Sequence, residues 1–133
     1  MNRFQKSVSS LIFLLITLTF LTGCEIDGGD DDIDRNNYLG TWNCSDSNLK
    51  LNYRVEIEVD PSNMAQVLIK NFGGVGEASS AKALVVGSTI HVERDLVGTF
   101  WCEGEGSLNG DKIFWSKYNI GEEEKIATFT KLQ

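Results

Sequence analysis

The sequence predicts an all-β protein: a single small antiparallel barrel of eight up-and-down strands. Three observations carry this. Beyond residue 38, apolar and polar residues alternate with period two. The links between alternating stretches are short and rich in Gly, Asn, Asp and Ser, and no helical period of useful length interrupts them. A chain of 133 residues, 41% hydrophobic, has room for one such domain, which excludes a multidomain enzyme. With 12 Lys+Arg against 19 Asp+Glu, the surface repels nucleic acid.

The strands follow an N-terminal region of different character. Residues 1–7 carry Arg3 and Lys6 and no acid, and residues 11–21 form an apolar run interrupted only by threonines. A helix over that run spans about 16 Å, half the hydrocarbon core of a bilayer, so residues 1–23 read as a signal peptide rather than a permanent span. The run ends in Leu21, Thr22, Gly23 and Cys24, which resembles the bacterial lipobox. That resemblance implies cleavage before Cys24 and acyl chains such as palmitate on its thiol. Residues 24–37 then hold Glu25, Asp27, Asp30, Asp31, Asp32 and Asp34 with little to bury, which predicts a disordered, self-repelling tether. A calcium loop is the rival, but the loop glycine and distal Glu are not at loop spacing. An acidic stretch after a lipidated cysteine also resembles the surface-export signal of Bacteroidota lipoproteins. It implies an outer-membrane, cell-surface location with the membrane reached through the lipid anchor.

Residues 38–133 are the folded domain. The first strand is expected at 39–44. From 50 to 59 the alternation is faultless, with Leu51, Tyr53, Val55, Ile57 and Val59 on one face and Lys50, Asn52, Arg54, Glu56 and Glu58 on the other. Asp60, Pro61, Ser62 and Asn63 form a turn, and 65–72 returns. Further strands fall at 82–86, 89–93, 99–105, 113–118 and 125–131, with Gly87-Ser88 and Asn109-Gly110 as hairpin signals. Eight strands whose sequence neighbours pair close most naturally into a barrel, which removes exposed edges. A two-sheet sandwich is the competing arrangement.

Gly40-Thr41-Trp42 at the start of the first strand resembles the lipocalin signature, in which the tryptophan plugs one end of the barrel. The turn 60–63, the strand Val67 to Phe72 and the ending Ala127 to Lys131 extend the likeness to small lipocalin-like lipoproteins of Bacteroidota. The family sets an arginine late in the chain across the tryptophan; here the last strand offers Lys125 and Lys131. The resemblance implies a binding module without cofactor, with Trp42 as the plug.

With Cys24 lipidated, Cys44 and Cys102 remain as an even pair in an oxidising compartment, and they are expected to form a disulfide, with two buried free thiols as the alternative. The chain-entropy model assigns such a loop about 4 kcal/mol. Parity then puts Trp42, Cys44, Phe100 and Cys102 inside and Trp101 outside. His91, flanked by Ile90 and Val92, takes the outer face and has no second histidine to share a metal. Glu103 and Glu105 have the spacing of a carboxylate pair but face solvent, with Gly104 and Gly106 inside. Glu122, Glu123 and Glu124 make a charged loop tip. No nucleophile, base and oxyanion hole assemble, so an enzyme is not expected, nor is a metal or cofactor. Two functions compete: a barrel holding a small apolar ligand, lined by Tyr53, Val55, Ile57 and Trp115, and a solid barrel that binds or inhibits an extracellular protein through an outward Trp101 or Tyr118 beside acidic loops.

Overall fold

The computed structural model describes residues 35–46 and 51–133. The lipidation of Cys24, the signal peptide and the acidic residues of the tether up to Asp34 lie outside the described residues. Eight strands follow one another: β1 (Gly40–Asp46), β2 (Leu51–Val59), β3 (Gln66–Lys70), β4 (Ser80–Val86), β5 (Thr89–Val97), β6 (Phe100–Asn109), β7 (Lys112–Ile120) and β8 (Glu123–Lys131). Each pairs antiparallel with the next, and β1 pairs with β8, so the sheet closes as a barrel. The sandwich is thereby excluded. One 3-10 turn, Phe72–Gly74, lies between β3 and β4.

Local sequence chemistry explains the turns. Between β6 and β7 the register pair is Asn109 opposite Lys112, so the two loop residues are Gly110 and Asp111, and Gly110 takes φ +62, a left-handed conformation that a Cβ disfavours. Gly87, Gly98 and Gly121 open two-residue turns in the same way. At the 60–63 turn the Asp60 carboxylate accepts from the Ser62 amide at 2.9 Å and its hydroxyl at 2.6 Å, which holds it below the usual carboxylate range.

The two ends differ. At one, Tyr38 and Trp42 are buried, Trp42 Nε1 donates to the Tyr38 carbonyl at 2.8 Å, and the Lys131 ammonium lies 5.3 Å from the Trp42 ring centre. The chain enters the barrel here, and the turns 60–65, 87–88 and 110–111 surround it. Trp42 is thus buried where the plug was expected. The far end carries the connection 71–79 and the turns 98–99 and 121–122. Between the ends Phe72, Trp115, Tyr118 and Phe129 pack with ring centres 4.6 to 5.9 Å apart.

Three expectations are corrected. Cys44 and Cys102 are free thiols, both buried, and not a disulfide. Around the barrel β8 and β7 stand between their strands; Cys44 lies opposite Tyr53 and Phe129, whereas Cys102 lies opposite Ile120. The even count implied an adjacency that the strand order does not provide. Tyr118 is buried rather than outward, because the registers to β6 and β8 shift between Trp115 and Tyr118. That bulge adds a residue and reverses the alternation, so Trp115 and Tyr118 both point inward, while the Ser116 hydroxyl donates to the Glu105 carbonyl at 3.1 Å. Phe100 shares the parity of Cys102 but is half exposed, since β6 begins there at the rim. Trp101 is on the outer face as expected.

Candidate functional site

The residues expected to line a ligand cavity come together in the barrel interior. Val55, Ile57 and Trp115 are buried in the core, and Tyr53 is partly buried against it. A groove of about 360 Å³ lies on the outer wall, lined by polar residues of β1 to β3 and the following connection, Arg54, Glu56, Lys70, Asn71 and Glu77 among them. A wider open depression of about 520 Å³ lies at the far end, between Gly73, Gly74 and Val75 on one side and Phe100, Ile120, Gly121, Glu122, Glu123 and Lys125 on the other.

A buried polar group lies at this end of the barrel. Alternation along β1 carries Trp42, Cys44 and Asp46 inward, and alternation along β8 carries Lys125, Ala127 and Phe129 inward. The pattern therefore places a lysine and an aspartate inside, where neither charge is stable alone. They meet: Lys125 Nζ is 3.3 Å from Asp46 Oδ2, with side chains only 6% and 0% exposed. Glu123, on the surface, adds a second carboxylate 3.8 Å from the same ammonium. Next to the pair, the Tyr53 and Tyr118 hydroxyls are 2.9 Å apart and both engage the Cys44 thiol. The Gly73 amide donates to Tyr118 Oη at 2.7 Å.

Burial dominates the electrostatics here. It pushes the Cys44 thiol up to about 11 and Tyr53 and Tyr118 well above the ordinary phenol. Cys102, whose Sγ donates to the Phe100 carbonyl at 3.6 Å, is likewise pushed up to about 11 by burial. Both thiols stay protonated at neutral pH, the reverse of an activated nucleophile. Asp46 was not singled out from the sequence, Phe72 was read only as the end of a strand, Lys125 was weighed only as a partner for Trp42, and Tyr118 was expected to face outward. The signal for Lys125 was present, since it keeps step with Ala127 and Phe129; that for Tyr118 was hidden by the bulge.

The remaining candidates are on the outer wall. His91 is exposed and stands opposite Leu84 and Glu105. Glu103 sits 3.1 Å from Lys117 Nζ and accepts from Asn119 at 3.1 Å, which lowers its carboxyl. Glu105 is exposed, so the two carboxylates belong to a solvated face. Three large apolar side chains are half exposed around the 98–99 turn: Leu96 (51%), Phe100 (48%) and Trp101 (51%). Leu96 and Trp101 are cross-strand partners, Phe100 borders the far-end depression, and the Arg94 guanidinium lies 5.7 Å from the Trp101 ring centre. Among the described residues no group of His, Cys, Asp and Glu has the arrangement of a metal site, and no helix is long and apolar enough to cross a membrane.

Fold and site define a small closed eight-stranded antiparallel barrel with an aromatic-packed core and a cluster of half-exposed apolar side chains beside the 98–99 turn. Comparison with known protein families, with curated proteins and with solved structures finds no match.

Proposed function

We propose that the chain is a lipid-anchored, cell-surface barrel that binds an extracellular protein through its far end. The observation that carries this is the cluster of Leu96, Phe100 and Trp101, which stands at the opposite end of the barrel from the point where the N-terminal segment enters. A domain tethered at one end presents the other outward. Aromatic side chains beside an arginine are the composition of a binding hot spot. Glu122 and Glu123 line the same depression as Phe100, so the partner this end fits has an apolar pocket with a basic rim. The Lys131 ammonium over Trp42 supports the lipocalin-like reading, with lysine in the place of the family's arginine.

The packed aromatic interior favours this reading over a permanently open ligand cavity. The test uses the purified full-length chain against basic secreted enzymes, a lysozyme and a trypsin-like protease, by biolayer interferometry. Trp101→Ala should weaken binding about thirtyfold, as expected for a hot-spot anchor, without changing the melting temperature. Absence of binding to both, or equal binding by the variant, would overturn the assignment. The anchor is checked separately: Cys24→Ser should leave the protein without lipid and outside the membrane fraction, and membrane retention of that variant would identify residues 11–21 as the anchor instead.

A further inference from the structure

The open depression at the far end combines apolar walls with an acidic mouth. Val75 lines it on one side, and the Phe100 ring and Ile120 line it on the other. Gly73, Gly74 and Gly121 put no side chain into it, and a Cβ on Gly121 would stand 3.7 Å from the Phe100 ring. About 520 Å³ therefore stays open in front of an aromatic side chain that is 48% exposed.

The charge around these walls is not balanced. Glu122, in the turn after β7, and Glu123, at the start of β8, both line the depression, and 73% of the Glu123 side chain is exposed. Among the described residues Lys125 is the one base in the lining. Its ammonium is 3.3 Å from the buried Asp46 carboxylate and 3.8 Å from Glu123. The nearer carboxylate, shielded from water, compensates the ammonium, so the charges of Glu122 and Glu123 remain for an incoming cation. Beside a low-dielectric wall their field is screened less than that of acids standing alone on a convex surface.

We infer that this depression receives the side chain of an arginine carried by the partner protein. The inference rests on the protein-binding reading of the far end and names the residue the partner brings to it. Three properties of the lining select that side chain. The apolar walls match its aliphatic stem, which a small inorganic cation lacks. The exposed Phe100 ring gives the guanidinium an aromatic surface to stack on. Two neighbouring carboxylates match the several N–H donors of a planar guanidinium, whereas a lysine ammonium is a compact and strongly hydrated point charge. Leu96 and Trp101 do not line the depression; they pair across β5 and β6 beside it, where they hold the apolar surface around the arginine.

The experiment titrates the purified, ¹⁵N-labelled full-length chain with blocked tripeptides that carry arginine, lysine or citrulline between two glycines. The arginine peptide should bind saturably, with a Kd on the order of 1 mM, and move the amide signals of Gly121, Glu122 and Glu123. It should bind about threefold tighter than the lysine peptide and about tenfold tighter than the neutral citrulline peptide. A Glu122→Gln, Glu123→Gln double variant should lose about tenfold in affinity for the arginine peptide at an unchanged melting temperature. Free arginine, whose own carboxylate meets the two glutamates, should bind more weakly than the blocked peptide. Equal affinity for the citrulline peptide, an affinity unchanged in the double variant, or tighter binding of free arginine would each overturn the inference. Trp101→Ala should leave the peptide affinity as it is, which separates this site from the surrounding cluster. Peptide binding without binding of lysozyme or protease would sink the proposed function and leave the arginine site standing; enzyme binding without peptide binding would do the reverse.

Discussion

At the scale of single residues, the two buried thiols make the sharpest predictions. Because Cys44 and Cys102 are unpaired, the intact mass of the folded protein should be the same before and after treatment with a reductant. A protein two hydrogens lighter before reduction would refute this assignment. Burial raises both thiols from 9.0 to about 11 in the folded protein. The protonated form is favoured by folding, so this stabilisation is complete below pH 9 and is lost as pH rises from 9 towards 11, where the unfolded chain has given up protons that the folded one retains. Two units correspond to about 3 kcal/mol per thiol as an upper bound. The urea midpoint should therefore fall steeply across that window, and a Cys44→Ala, Cys102→Ala double variant should lose much of this pH dependence. The buried ion pair is a second case. Lys125→Met takes from the buried Asp46 carboxylate its lysine partner and should cost about 3 to 5 kcal/mol in urea denaturation. Adding Asp46→Leu should recover most of it, since both charges are then gone.

At the scale of elements, the bulges decide what periodicity alone misassigns. β5 runs on to Val97 because a register shift between Val92 and Asp95 restores an inward side chain after the alternation has slipped. The same effect in β7 turns Tyr118 inward. Gly104 and Gly106 in β6 are the counterpart of Trp115 in β7: each lies so close to the indole that an added Cβ would come within 3.0 to 3.1 Å of it. Neither has a left-handed φ, so the requirement is space rather than backbone freedom. Gly106→Ala should cost about 1 to 3 kcal/mol by overpacking, and Gly106→Ala with Trp115→Phe less than the sum, measurable as a double-mutant cycle. Strict additivity would show that the two positions do not share this contact.

At the scale of the whole molecule, closure makes the two ends unequal. Trp42 is fully buried, hydrogen-bonded and covered by Lys131, so Trp42→Ala should cost about 3 to 5 kcal/mol in thermal or urea unfolding. A change under 1 kcal/mol would deny it the role of plug. The sequence by itself determined the all-β class, eight strands in their order, the turn at 87–88 and the inward placing of Tyr53, Val55 and Ile57 in β2, because strand alternation and turn chemistry are local properties written in neighbouring residues; the Asn109-Gly110 turn falls one residue later, at Gly110-Asp111, and Val59 at the end of β2 is exposed. The sequence also placed Trp101 outside and Trp42, Val55, Ile57 and Trp115 inside. Only the tertiary structure decided that Cys44 and Cys102 do not meet, that Lys125 finds Asp46, and that Phe72 fills the barrel from a connection. Each of these depends on which strands become neighbours and where a bulge shifts the register. Those are properties of the closed sheet as a whole, set by the fit of side chains across the interior, and no stretch of sequence read alone contains them.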